Sequence, residues 1–147
     1  MDSARQGSGG AWSTYWYNGA IYSSEISRGF DVMELTPSEH LTQNEIDAAR
    51  TVRFDQFNAQ GQPMFSFPPS FPLAKAYVDQ LERQRCVDGS RITGLRNGIA
   101  AAERATGGER RSALERVATD AQSAGGACSA KLGKLAATVN QLSGVQP

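Results

Sequence analysis

The chain has 147 residues, with 15 Lys plus Arg against 15 Asp plus Glu and a formal net charge of zero. That balance argues against nucleic acid or any polyanion as the main partner. Hydrophobic content is 39% and there are 15 glycines; no apolar run approaches the ~18 residues of a membrane span.

Residues 1–11 are polar and glycine-rich and read as a free, disordered end. Met1 to Gly10 has no apolar centre and no cleavage pattern, so no signal peptide is expected. The strongest local signal follows. Trp12 to Tyr17, then Asn18-Gly19, then Ala20 to Ser24 places aromatic and β-branched residues on both sides of the preferred type I′ hairpin turn. A third strand is expected over Phe30 to Leu35, after a bend at Arg28-Gly29. Residues 12–38 thus form an antiparallel meander too small to cover its own aromatics.

Residues 39–69 read as a connector. Thr42 and Glu45 have the spacing of a capping box, which predicts a helix through Ala49 or Arg50. Val52 to Phe57 and Met64 to Phe67 look extended around a turn-rich stretch, which suggests a long-looped hairpin. Pro68-Pro69 ends it.

Residues 70–143 carry four helical patterns, with 144–147 as a tail. The first opens at Ser70 and Pro72 and presents Ala74, Tyr77, Val78 and Leu81. The second presents Ile92, Leu95, Ile99 and Ala102 and is expected to stop at Gly107-Gly108. The third presents Leu114, Val117, Ala121 and Ala124 and stops at Gly125-Gly126; the fourth presents Leu132, Leu135, Val139 and Leu142. Short connections make neighbours antiparallel. The fold class is therefore α+β and mostly α: a short antiparallel β-meander followed by a C-terminal up-down four-helix bundle.

Cys86 follows the first bundle helix and Cys128 begins the fourth, so an up-down path brings both to one pole. A disulfide there would close a loop of about 40 residues, worth roughly 4 kcal/mol in the chain-entropy model. The alternative is two small buried thiols that never pair. A structural disulfide conflicts with a cytoplasmic setting, which the missing signal peptide would otherwise suggest. Both readings are met if this is the tail of a longer exported protein, at the cell surface or outside the cell.

No catalytic constellation emerges. His40 is the only histidine, in a linker, and Ser38-Glu39-His40 are too close in sequence to form a triad. Two cysteines and one distant histidine make no metal set, and no cofactor motif is present. The interleaved arginines and carboxylates of the helices read as a solvated face with local ion pairs. Trp12, Tyr15, Trp16, Tyr17 and Tyr22 are the one candidate surface, for a protein partner or a sugar ring, unless they pack internally.

Tyr15-Trp16-Tyr17-Asn18-Gly19, Ile21-Tyr22-Ser23-Ser24-Glu25-Ile26, Arg28-Gly29-Phe30-Asp31-Val32, Glu34-Leu35-Thr36-Pro37-Ser38, Leu41 to Ala49 and Ala76 to Leu81 resemble the C-terminal region of actinobacterial LVIVD-repeat proteins. The resemblance implies an exported β-propeller, with the meander as its last blade and an appended helical domain. A propeller needs several blades, and at most one is present here. The resemblance carries no catalytic residues with it. The expected function is a non-enzymatic structural or interaction module; the alternative is a carbohydrate- or cell-wall-binding module using the aromatic strands.

Overall fold

The computed structural model describes residues 9–27, 29–123 and 126–144. Expectations for residues 1–8, Arg28, Ala124, Gly125 and residues 145–147 lie outside them. Strands β1 (Ala11–Tyr17), β2 (Ala20–Glu25) and β3 (Gly29–Met33) form one antiparallel sheet in the order β1-β2-β3. Helices α1 (Gln43–Arg50), α2 (Phe71–Gln84), α3 (Gly89–Arg104), α4 (Gly107–Gln122) and α5 (Ser129–Ser143) follow. The chain is α+β and mostly helical.

The first hairpin closes as its sequence requires. Tyr17 pairs with Ala20. Asn18 and Gly19 both take positive φ, 50° and 97°, the geometry that suits the strand twist. Pairing reaches further toward the N-terminus than expected, because the Gly10 carbonyl accepts from Ile26 N at 3.0 Å and its amide donates to Glu25 Oε1 at 2.8 Å. A register shift between Ala11 and Ser13 makes Trp12 the extra residue of a bulge. β3 ends at Met33, two residues short of the expected Leu35.

α1 starts on the capping box: Glu45 N donates to Thr42 Oγ1 at 3.3 Å and Thr42 N donates to Glu45 Oε2 at 2.8 Å. The hairpin expected over 52–67 does not form; that stretch holds only a short 3-10 turn, Ala59–Gly61, capped by Asn58. The reason is a contact from a distant part of the chain. The Phe54 amide donates to Asn18 Oδ1 at 2.8 Å and its carbonyl accepts from Asn18 Nδ2 at 3.0 Å, so a side chain occupies the groups a partner strand would need.

The bundle is a closed ring in which α2 packs on α3 and α5, α3 on α4, and α4 on α5. Ser70 caps α2 through Oγ, which accepts from Leu73 N at 3.2 Å. The apolar seams meet in a single core: Val78 and Leu81 from α2, Ile92, Leu95 and Ile99 from α3, Leu114 and Val117 from α4, and Leu132, Leu135 and Val139 from α5. Each fully buried side chain of this size contributes about 1.5–3 kcal/mol relative to exposure. Gly107-Gly108 does not terminate α3 but begins α4. The α3 carboxyl end is capped instead by Arg110, whose Nε donates to the Ala102 and Ala105 carbonyls at 3.2 and 2.8 Å.

Cys86 and Cys128 are joined as a disulfide with Cα atoms 6.1 Å apart, at the pole where α2 ends and α5 begins. α1 lies against α2, with Ala48 packed among Leu73, Ala76 and the partly buried Tyr77. The arginines do more than decorate a surface. Arg83 grips Glu45 with two bonds of 3.0 and 2.6 Å, and so ties α2 to α1. Arg96 reaches from α3 to Asp79 at 2.8 Å and Glu82 at 2.7 Å on α2. The expectation of purely local pairs is corrected accordingly.

Candidate functional site

The register sorts the aromatic residues. Tyr15, Tyr22 and Val32 are cross-strand partners in one row. Alternation puts Tyr17 and Phe30 on that same face, and Trp16, Ile21 and Met33 on the other. The five candidate residues are therefore not one surface. Tyr15, Tyr17 and Tyr22 come together. Trp16 is turned away and meets Phe65 edge-on at 5.6 Å between ring centroids. Trp12, on its bulge, is 75% exposed and belongs to neither group.

The sheet rests on the connector, whose phenylalanines wrap the β1 edge. Phe54, Phe57 and Phe65 contact one another at 5.4–6.0 Å. Phe57 then reaches Tyr15 at 6.4 Å and Tyr17 at 6.1 Å. Polar contacts fix this docking. Tyr17 OH donates to the Phe54 carbonyl at 2.9 Å, and Arg53 donates to the Asn18 carbonyl at 2.8 Å. Gly19 is close to α1; a Cβ there would stand 3.2 Å from Arg50 Cγ.

The outcome is a continuous line of rings. Phe30 to Tyr22 is 5.9 Å, Tyr22 to Tyr17 is 6.1 Å, and Tyr17 to Phe57 is 6.1 Å. Much of this face is open to solvent, with Tyr15 44% exposed, Phe30 63% and Val32 59%. Between the tyrosines and residues 55–60 lies an open groove of about 790 Å³. Its polar rim is Asp55, Gln56, Asn58 and Gln60. Asn58 Oδ1 accepts from Gln60 N at 3.0 Å and so shapes the loop.

Phe57 and the rim residues were not singled out by the sequence reading. The available signal was the recurrence of Phe54, Phe57 and Phe65 beside a sheet that lacked cover. His40 is exposed, 3.3 Å from the equally exposed Glu39, and its backbone amide donates to Ser38 Oγ at 3.2 Å. Among the described residues no group of three or more His, Cys, Asp or Glu could hold a metal ion, and no helix is long and apolar enough to cross a membrane.

The Glu45 site, where α1 meets α2, is structural. Burial raises the cost of charge on Glu45. Hydrogen bonds from Arg83, the Thr42 amide and Gln80 outweigh it and hold the carboxyl down at about 2. Asn44 adds a bond of 2.8 Å to Asp79, so two side chains of α1 engage α2. Searches against family models, curated proteins and solved structures return no match to this chain.

Proposed function

We propose that this chain is a non-enzymatic interaction module, in which the disulfide-stapled bundle is a rigid carrier and the aromatic face of the sheet makes the contact. The observation that carries this reading is the open line of rings from Phe30 to Phe57. Apolar rings of this number in contiguous exposure on a small domain mark an interaction surface. The reading extends to the setting implied by the LVIVD-repeat resemblance: the C-terminal part of an exported protein, with the three strands as a terminal blade. The Cys86–Cys128 pair supports it, since structural disulfides persist in oxidising compartments. The partner is a protein or a cell-surface glycan. The second reading, a carbohydrate- or cell-wall-binding module, is favoured by the groove beside the tyrosines.

The test is retention of the oxidised chain on immobilised glycan and peptide arrays, against a Tyr15→Lys/Val32→Lys variant that places two charges on the exposed face. Retention by the parent chain and its loss in the variant support the proposal. Equal retention of both, or turnover of a hydrolase substrate that His40→Ala abolishes, overturns it.

A further inference from the structure

The connector carries a site of a different kind. Residues 60–69 form the longest exposed run among the described residues. Residues 63–69 lie outside any helix or strand, and among the described residues none of their backbone or side-chain groups makes a hydrogen bond. An endopeptidase takes its substrate as an extended strand and supplies the backbone hydrogen bonds itself. In most of this chain it would first have to break a helix or strip a strand. Here nothing has to be undone. Pro63, Pro68 and Pro69 also bias the run toward an extended path.

The side chains then select one bond. Three large apolar residues stand in the run: Met64, Phe65 and Phe67. Phe65 is held, with its ring 5.6 Å from that of Trp16, 5.4 Å from Phe54 and 6.0 Å from Phe57. Phe67 is followed by Pro68, whose ring nitrogen makes a tertiary amide that does not fit a cleft shaped for a secondary one. Met64 is 93% exposed and is followed by an ordinary amide. It can enter a deep apolar pocket without disturbing the fold. The exposed rings outside the connector are guarded by their backbones. Trp12 sits on the β1 bulge between two paired residues, Tyr15 pairs with Tyr22, and Phe30 pairs with Ser24.

We infer that the Met64–Phe65 bond is a processing site for an endopeptidase with an apolar primary pocket, and that the cut chain stays together as two pieces. Hydrolysis adds one water across the amide and leaves a carboxylate on Met64 and an ammonium on Phe65. The first piece keeps the sheet and α1; the second keeps the bundle and its disulfide. They remain joined because α1 is seated on α2. Ala48 packs with Leu73 and Ala76, Glu45 accepts from Arg83 and Gln80, and Asn44 donates to Asp79. Phe65 goes with the second piece and still meets Trp16, Phe54 and Phe57 of the first.

The test is limited proteolysis of the intact, oxidised chain with trace chymotrypsin and, separately, with trace subtilisin. The products are read by intact-mass spectrometry and by gel filtration without denaturant. Chymotrypsin has an apolar primary pocket, whereas subtilisin is less selective and reports the backbone. Within residues 9–144, the first chymotryptic cut should follow Met64 and the first subtilisin cut should fall in residues 60–69. The two chymotryptic fragments should elute together at the position of the uncut chain and separate in urea. Met64→Asp changes a side chain that holds no part of the fold, and it should slow the chymotryptic loss of intact chain by about tenfold or more. A first cut elsewhere by either enzyme overturns the site. A Met64→Asp chain cut as fast as the parent overturns the role of Met64, and fragments that part in native buffer overturn the two-piece form.

Discussion

The disulfide permits the most direct quantitative test. Cys86 and Cys128 are 42 positions apart, and helices α3 and α4 lie between them. In the chain-entropy model a cross-link closing a loop of that length removes about 13 cal/mol/K from the unfolded ensemble, or about 4 kcal/mol at 25 °C. Their Cα separation of 6.1 Å falls in the usual range for such bonds, so the native state gives up little to hold it. A Cys86→Ser/Cys128→Ser chain should therefore be less stable by about 4 kcal/mol than the oxidised parent. With a urea slope near ~2 kcal/mol/M, the unfolding midpoint falls by about 2 M. The assay is equilibrium urea unfolding followed by the helical far-UV signal, on the parent with and without reductant and on the double variant. Reduced parent and double variant should coincide. A loss below about 1 kcal/mol in both would refute the reasoning, because the four seams would then hold α2 and α5 together unaided.

Three further outcomes follow from packing and charge. Glu45 titrates at about 2 in the folded protein against an ordinary 4.5. A lowered folded value means stability fully present above about pH 4.5 and lost as pH falls toward 2; with part of the benefit screened at the exposed Arg83 side, acid unfolding of the parent should show a loss of about 2 kcal/mol through that window, absent in Glu45→Gln. At Gly98 a Cβ would stand 2.6 Å from Val117 Cγ2, whereas at Gly94 it would meet nothing within 4 Å. Gly98→Ala should therefore destabilise by about 1–3 kcal/mol through overpacking, and Gly94→Ala should stabilise by up to about 1 kcal/mol, both read from thermal melting.

Much of the architecture is written in short-range signals. Asn18-Gly19 demands positive φ at two successive positions, and few pairs other than Asn-Gly accept that cheaply. Steps of three and four in Ile92, Leu95 and Ile99 oblige one helical face to seek cover, and so do those in Leu132, Leu135 and Val139. What escaped was set by long-range competition. Residues 52–57 look like a strand, yet the Phe54 backbone is bonded by a side chain 36 positions away, which no local pattern announces. The arginines look like surface charge because sequence shows their neighbours four positions off, not Glu45 38 positions from Arg83. At the Gly107-Gly108 pair, glycine's tolerance of a left-handed backbone was read as a stop, but Arg110 supplied the cap and the glycines opened the next helix. The groove was half visible. Its tyrosines sit on a strong hairpin motif, while its rim comes from a loop whose position depends on Phe57 finding Tyr15 and Tyr17.

One arrangement has a mechanical meaning. α1 touches the hairpin at one end, where Arg50 lies beside Gly19, and is bolted to α2 by Glu45 and Asn44 near the other. It spans only eight residues. Force applied to the sheet is thus handed to the bundle in part by a two-turn lever, seated on α2 through Ala48 and fastened at its rim by ions and amides. Salt and acid weaken the rim fastenings first, and should loosen this lever while its apolar seat and the helical ring hold.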